Sequence, residues 1–171
     1  MKTIKAVFFL ICTISFTHCT VHPKDLVSAA REDDIAGVVH ALDQGADINM
    51  KDEHGETPLS IASFRGYNEM AAILAGKNAD VNTVNKDGVT PLMYSAGYGF
   101  ENIASLLLDH HAAVNTVSKE GLTALSYACL HDHFNIAKLL IANKANVNFS
   151  SRDNETILMM LCTRGNAKLA G

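Results

Sequence analysis

A short phrase recurs every 33 residues along this chain. Its four copies are Thr57-Pro58-Leu59, Thr90-Pro91-Leu92, Thr123-Ala124-Leu125 and Thr156-Ile157-Leu158. Full units close on an Ala-x-Val-Asn tail at residues 79–82, 112–115 and 145–148, and an earlier unit closes on the related Ala46-Asp47-Ile48-Asn49. A fixed period of this length predicts a stack of similar supersecondary units. Because one such unit cannot bury its apolar face alone, we expect function on the shared surface of the stack.

The residue types within a unit predict two short helices. Thr57 suits a helix N-cap, and Pro58 suits the first helical position, where its missing N–H costs nothing. Gly55 supplies the positive φ of a tight turn before this helix, and Gly66 ends it. A second helix is predicted from apolar residues spaced three and four apart, which are Met70, Ile73 and Leu74. In the two units that follow, this spacing predicts buried leucines at positions 106, 107, 139 and 140.

This repeated pattern resembles the ankyrin repeat. The family's Gly-x-Thr-Pro-Leu-His-x-Ala opening and its Gly-Ala-Asp-Val-Asn ending are nearly all present between about Asp25 and Gly171. The resemblance implies an all-α solenoid of helix–turn–helix units with β-turn or hairpin tips, about four and a half repeats long. It also implies a non-enzymatic monomer that uses no cofactor and binds a protein partner.

The chain departs from the family pattern at two positions of the unit. The histidine after the leucine is replaced by Ser60, Met93, Ser126 and Met159, so the hydrogen-bond link that it usually makes between units is expected to be lost. The glycine before the tail survives only as Gly45 and is elsewhere Asn78, His111 and Lys144. Asn tolerates the left-handed conformation and His does so less readily, while Lys144 predicts an irregular turn.

The period divides the chain into segments. We predict a signal peptide over 1–19, a linker over 20–24, and repeats over 25–171, with a capping unit at 25–50, full units at 51–83, 84–116 and 117–149, and a partial unit at 150–171. A polar first helix, carrying Arg31 and the acidic run Glu32-Asp33-Asp34, suits the capping unit. For the partial unit three explanations stay open: a truncated chain, a continuation in the native gene, or a partner at that end.

The first residues form a segment of a different kind. Lys2 and Lys5 precede an uncharged apolar run over 6–16, which is too short for a comfortable membrane span and is typical of a secretory signal peptide. Cleavage could follow Thr17, Cys19 or Thr20. Two alternatives stay open, namely lipidation of Cys19 and an uncleaved membrane anchor. We therefore expect an exported protein, periplasmic or secreted, that meets a membrane only through this segment or a lipid.

Composition and scattered residues limit the other functions. A net charge of −4 argues against nucleic-acid binding, which needs a basic surface. Cys129 and Cys162 occupy equivalent places in neighbouring units, where helix spacing favours two buried free thiols over a disulfide. The triplet His131-Asp132-His133 could contribute to a zinc site, but such a site needs three or four protein ligands, so solvated turn histidines are the simpler interpretation. We predict no catalytic residue and no metal site.

The resemblance places partner binding in a concave groove between the turn tips and the exposed positions of the first helices. Carried onto this chain, the groove candidates are Phe64, Arg65, Val89, Tyr98, Leu122, Leu130 and His131. Aromatic and aliphatic residues ringed by charges are typical of an interface hot spot. The alternative is that Phe64 and Tyr98 merely pack on the adjacent unit.

Two functions from different classes follow. The first is a non-enzymatic, exported ankyrin-repeat protein that holds a protein partner in its groove. The second is a stress-protective or metal- or haem-handling accessory factor that uses the histidines. Zinc-dependent stabilisation of the isolated domain would favour the second.

Overall fold

The computed structural model describes residues 25–149 as a series of helix pairs. Eight helices lie in this range, and they are α1 (Leu26–Arg31), α2 (Ile35–Asp43), α3 (Pro58–Arg65), α4 (Asn68–Gly76), α5 (Pro91–Tyr98), α6 (Glu101–Asp109), α7 (Ala124–Leu130) and α8 (Phe134–Ala142). The first helices α1, α3, α5 and α7 contact one another in sequence, and α4, α6 and α8 do the same behind them. The predicted all-α solenoid of helix–turn–helix units is confirmed. The proposed signal peptide, the linker and the partial unit lie outside the described residues.

Within residues 25–149, none of the helices is long and apolar enough to cross a membrane.

Each first helix begins as its sequence predicts. The Thr57 hydroxyl accepts a hydrogen bond from the Ser60 backbone N–H at 3.2 Å, and Ser60 Oγ accepts one in return from the Thr57 N–H at 2.8 Å. The hydroxyls of Thr90 and Thr123 likewise accept from the Met93 and Ser126 N–H groups at the starts of α5 and α7. At α3, Ser60 stands where the family has histidine and completes a capping box, which satisfies two backbone donors that a helix start otherwise leaves free.

Left-handed residues end both helices of a unit. The first helices of the full units end before Gly66 (φ +78°), Gly99 (φ +80°) and Asp132 (φ +60°). The turn after each second helix places Asn78, His111 and Lys144 at φ +62°, +63° and +67°. The expectation of an irregular turn at Lys144 is wrong. Ala145 N–H donates to Leu140 O at 3.0 Å, as Ala79 N–H does to Leu74 O in an earlier unit, so the shared hydrogen bonds outweigh the unfavourable backbone region.

The core lies between the two helix layers. Small residues at the first-helix contacts, such as Ala62, Ser63 and Ala96, are fully buried and allow close helix approach. The expectation of four equally buried leucines needs correction. Leu107 and Leu140 are fully buried, whereas Leu106 and Leu139 are only partly buried. The helical period of 3.6 residues turns the preceding leucine toward the edge of the buried stripe.

Two rows of hydrogen bonds join neighbouring units, although the family histidine is absent. In the tails, Asn49 Oδ1 accepts from Asp80 N–H at 2.8 Å, and Asn82 and Asn115 repeat this bond 33 and 66 residues further on. At the tips, Lys86 N–H donates to His54 O at 2.9 Å and Lys119 N–H donates to Asp87 O at 2.8 Å. The link between units is therefore made by backbone groups and tail asparagines.

The N-terminal unit differs from its prediction. Helix α1 ends at Arg31, and four of its six residues are buried, so it is not the polar helix that the charged run suggested. Glu32 and Asp33 follow the helix in solvent, and Asp34 caps α2 by accepting from Gly37 N–H at 2.9 Å. The acidic run thus belongs to an interhelical turn.

Cys129 is a buried free thiol whose pKa is raised by burial, as expected of a small core residue. Its counterpart Cys162 lies outside the described residues.

Candidate protein-binding groove

The tips of the units are tight turns stabilised by their own side chains. In the first tip, Gly55 N–H donates to Asp52 O and Asp52 N–H donates to Glu56 O, both at 3.0 Å. Asp52 Oδ1 also accepts from the His54 and Glu56 N–H groups at 2.8 Å each. Asn85 Oδ1 makes the equivalent bonds in the second tip. These turns hold the tips in one row beside the first helices, and we call the face between the row and α3, α5 and α7 the groove.

Three aromatic side chains from two units meet in the groove. The ring of Phe64 contacts Tyr98 edge to face, with centroids 5.0 Å apart, and contacts Tyr94 at 5.3 Å. We call Phe64, Tyr94 and Tyr98 the aromatic ridge. Phe64 remains 38% exposed and Tyr98 54% exposed. The rings therefore pack on the adjacent unit. They also present apolar surface to solvent, so packing does not prevent them from contacting a partner.

Tyr94 is held by a half-buried polar network. Its hydroxyl donates to Glu56 Oε1 at 2.6 Å, and Asn85 Nδ2 donates to that oxygen at 2.7 Å and to Tyr94 Oη at 2.9 Å. Ser60 Oγ donates to Glu56 Oε2. Burial, followed by the Glu56 carboxylate, raises the pKa of Tyr94 far above its usual value, so its proton stays on the phenol. The network holds the ridge in one orientation.

A first hollow of about 230 Å³ lies on the N-terminal side of the ridge. Its lining includes Arg31, Asp52, Glu56, Phe64, Arg65 and Tyr94. Arg31 forms an ion pair with Asp52, and the Arg65 guanidinium lies 5.6 Å from the centre of the Phe64 ring, within the range of a cation–π contact.

The carboxyl group of Asp52 is held in its charged form. Burial alone would raise its pKa, but N–H donors from Glu56 and His54 and the Arg31 guanidinium outweigh burial, so the pKa lies below its ordinary value.

A second hollow of about 190 Å³ lies on the other side of the ridge. Its lining includes Val89, Met93, Gly97, Tyr98, Tyr127 and His131. Tyr127 donates to Glu120 Oε2 at 3.1 Å, and burial raises its pKa above the ordinary value. The space is bounded mainly by aromatic and aliphatic side chains.

Five of the seven candidates named from the sequence lie on these two hollows. Phe64 and Arg65 line the first, and Val89, Tyr98 and His131 line the second. Leu122 and Leu130 are partly buried and line neither.

The sequence-based choice missed Met93, Tyr94 and Tyr127. Tyr94 and Tyr127 are 33 residues apart and take the place of Ile61 in the unit before. The sequence did carry a signal for these tyrosines, because they bring a hydroxyl to a repeated position that holds isoleucine in the unit before. A buried hydroxyl needs a hydrogen-bond partner, so polar contacts could have been expected there.

Of the histidines near α7, His131 lines the second hollow. The rings of His131 and His133 stack with centroids 6.4 Å apart, and His133 Nε2 lies 3.1 Å from Gly97 O. Within residues 25–149, no group of three or more His, Cys, Asp or Glu side chains converges on a metal-sized site.

One curated relative shares a short stretch with this chain. The protein VAPYRIN-LIKE of Medicago truncatula is 49% identical over 41 residues, which is 24% of this chain and 9% of that protein. The chain therefore aligns with under a tenth of the length of this relative.

The family comparison covers nearly all of the repeats. The family model for ankyrin repeats in three copies matches residues 26–117 and 110–170. These matches include the helix pairs, the capped first helices and the tips described above, so the chain belongs to the ankyrin repeat family.

Proposed function

We propose that this protein is non-enzymatic and binds a protein partner along the groove. Ankyrin repeats generally mediate protein–protein interaction. The observation that carries the proposal is the aromatic ridge, where Tyr98 is 54% exposed yet locked against Phe64 at 5.0 Å. Rigid aromatic side chains at the centre of a surface supply binding area at little entropic cost and dominate interface energetics. The surrounding exposed charges of Glu53 and Lys86 form a hydrated rim.

The test compares groove variants in one binding assay. The full chain is immobilised, captured proteins are identified by mass spectrometry, and affinities are measured for Tyr98→Ala, Phe64→Ala and the rim control Glu53→Ala. We expect each ridge variant to lose about 2 kcal/mol or more, roughly thirtyfold in Kd, with an unchanged circular dichroism spectrum. The exposed Glu53 should matter little. Unchanged affinity in both ridge variants would remove the groove as the binding site.

We propose further that the protein is exported. Lys2 and Lys5 before the apolar run 6–16 support export, and this segment lies outside the described residues. The native N-terminus should then lack Met1 to about Thr17, which mass spectrometry of the mature protein measures. An intact Met1 in a cytosolic fraction would contradict export, whereas a lipid-sized mass on Cys19 would establish the lipoprotein form.

A further inference from the structure

The charges that reach solvent in the first hollow are positive. In its ion pair, the Arg31 side chain is 46% exposed whereas that of Asp52 is 9% exposed, so the carboxylate lies beneath the guanidinium. Glu56 is half-buried and both of its oxygens are engaged, since one accepts from Tyr94 and Asn85 and the other from Ser60. The carboxylates of Asp52 and Glu56 are thus engaged by other residues of the protein and are not directed at a ligand.

Arg65 adds a second exposed cation at the same hollow. Its guanidinium lies over the Phe64 ring, and no carboxylate of residues 25–149 forms an ion pair with it. A planar guanidinium whose donors face solvent suits a carboxylate, which it can bind through two parallel hydrogen bonds. The first hollow therefore fits an acidic side chain of a partner.

The second hollow fits an apolar side chain. Met93 is buried and Gly97 carries no side chain, so the space between Tyr98 and Tyr127 stays open. Its volume of about 190 Å³ leaves room for a side chain. Tyrosine and methionine walls of this size accommodate a branched aliphatic side chain or a methionine.

The spacing of the two hollows limits what can bridge them. They lie on either side of the ridge, one unit apart, and packed helices of neighbouring units are separated by about 8–10 Å. An extended chain of the polyproline II type rises about 3.1 Å per residue with three residues per turn, so side chains three positions apart lie on the same side, about 9 Å apart.

We propose that the groove takes an extended peptide segment in which an acidic residue lies at the first hollow and a branched aliphatic residue or methionine, three positions away, fills the second. This inference rests on the proposed groove function and specifies the residue types of the partner segment that the groove binds. The acidic group pairs with Arg65, the apolar group lies over Gly97, and the residues between them cross the aromatic ridge. The order of the acidic and apolar residues in the selected sequences shows in which direction the peptide chain runs along the groove.

The probe is a phage library of random 12-residue peptides selected on the full chain. We expect enrichment of sequences with an acidic residue three positions from Leu, Ile or Met. A synthetic consensus peptide and its acid-to-amide version should differ about tenfold or more in Kd by fluorescence anisotropy. Arg65→Gln should abolish that difference, because the amide cannot replace the cation, while the control Lys138→Gln should keep it.

A second variant pair tests the apolar position alone. Gly97→Leu places a side chain in the second hollow, and a Cβ there lies 3.6 Å from the Tyr127 ring, an ordinary contact. Gly76→Leu is its matched control, since Gly76 is also helical, is exposed and has no atom within 4 Å of an added Cβ. Gly97→Leu should erase the preference for an aliphatic residue and leave the acidic preference, whereas Gly76→Leu should keep both.

The outcomes separate this inference from the groove itself. Selected peptides that lose binding in Tyr98→Ala but lack the acidic and aliphatic pair would overturn the inference and leave the groove as the binding site. Peptides that bind Tyr98→Ala as tightly as the wild type would overturn both. Failure to enrich any sequence, or an acidic preference that survives Arg65→Gln, would also overturn the inference.

Discussion

Truncation of Leu107 should destabilise the fold far more than truncation of its neighbour Leu106. Leu107 is fully buried in α6, whereas Leu106 lies at the edge of the buried stripe. Leu→Ala removes three carbon atoms, worth about 2.4 kcal/mol of transfer free energy at roughly 0.8 kcal/mol each. At Leu107 the unfilled cavity adds to this loss, which places the total at about 3–4 kcal/mol, within the range of about 2–5 kcal/mol for such changes. At Leu106 water can fill the space, so we expect about 1–2 kcal/mol.

The assay is urea unfolding followed by far-ultraviolet circular dichroism. For a domain of this size the slope is about 1–3 kcal/mol/M, so Leu107→Ala should lower the unfolding midpoint by about 1–4 M. The exposed side chain of Lys86 provides a control, and Lys86→Ala should stay within about 0.5 kcal/mol. Equal midpoints for Leu106→Ala and Leu107→Ala would mean that α6 packs on its neighbours through a different face from the one described. A midpoint for Leu107→Ala equal to that of Lys86→Ala would overturn the register of the repeats.

Two further predictions concern the turns. Gly66→Ala should cost more than Gly45→Ala in the same urea assay: both add a side chain at positive φ, which costs about 1–2 kcal/mol, but only at Gly66 would the new Cβ lie 2.6 Å from the Phe100 ring. Equal costs would contradict this close contact. The second concerns Asp52, whose folded-state pKa is depressed, so the unfolded chain binds its proton more readily. The stability that it contributes is present above the unfolded-state pKa of about 3.9 and is lost as the pH falls through the folded-state value. Asp52→Asn should therefore unfold with a smaller pH dependence below about pH 4, and an unchanged dependence would contradict the assignment.

The helix starts and stops were predictable because their chemistry is local. Thr57 caps α3 through a hydroxyl that reaches an N–H three residues away, and Gly66 ends it through a left-handed φ. Such features depend on a few adjacent residues, and the 33-residue period repeats them in register. The fold could therefore be predicted from one unit and its copies.

Features that depend on the neighbouring unit were harder to predict. The helical spacing identified Leu106 and Leu107 as apolar, but the difference in their burial depends on how α6 is rotated against α4 and α8. Lys144 was expected to disturb its turn because the left-handed region is unfavourable for it. The structure gives it the same hydrogen bonds as Asn78, since the end of α8 constrains the chain more strongly than one residue does.

The groove illustrates the same division at the level of function. Arg65, Phe64 and Tyr98 could be placed on it because they occupy repeated positions in successive first helices. Their orientation depends on Tyr94, whose hydroxyl forms hydrogen bonds with Glu56 and Asn85 from two different tips. The repeat pattern does not predict that these three residues meet. Asp52 and Glu56 are half-buried and engaged by other residues of the protein, whereas Arg31 and Arg65 are exposed, so the exposed charges of this set are positive. The chemistry offered to a partner is therefore set by which charges are covered, a property of the stacked units that their individual sequences do not contain.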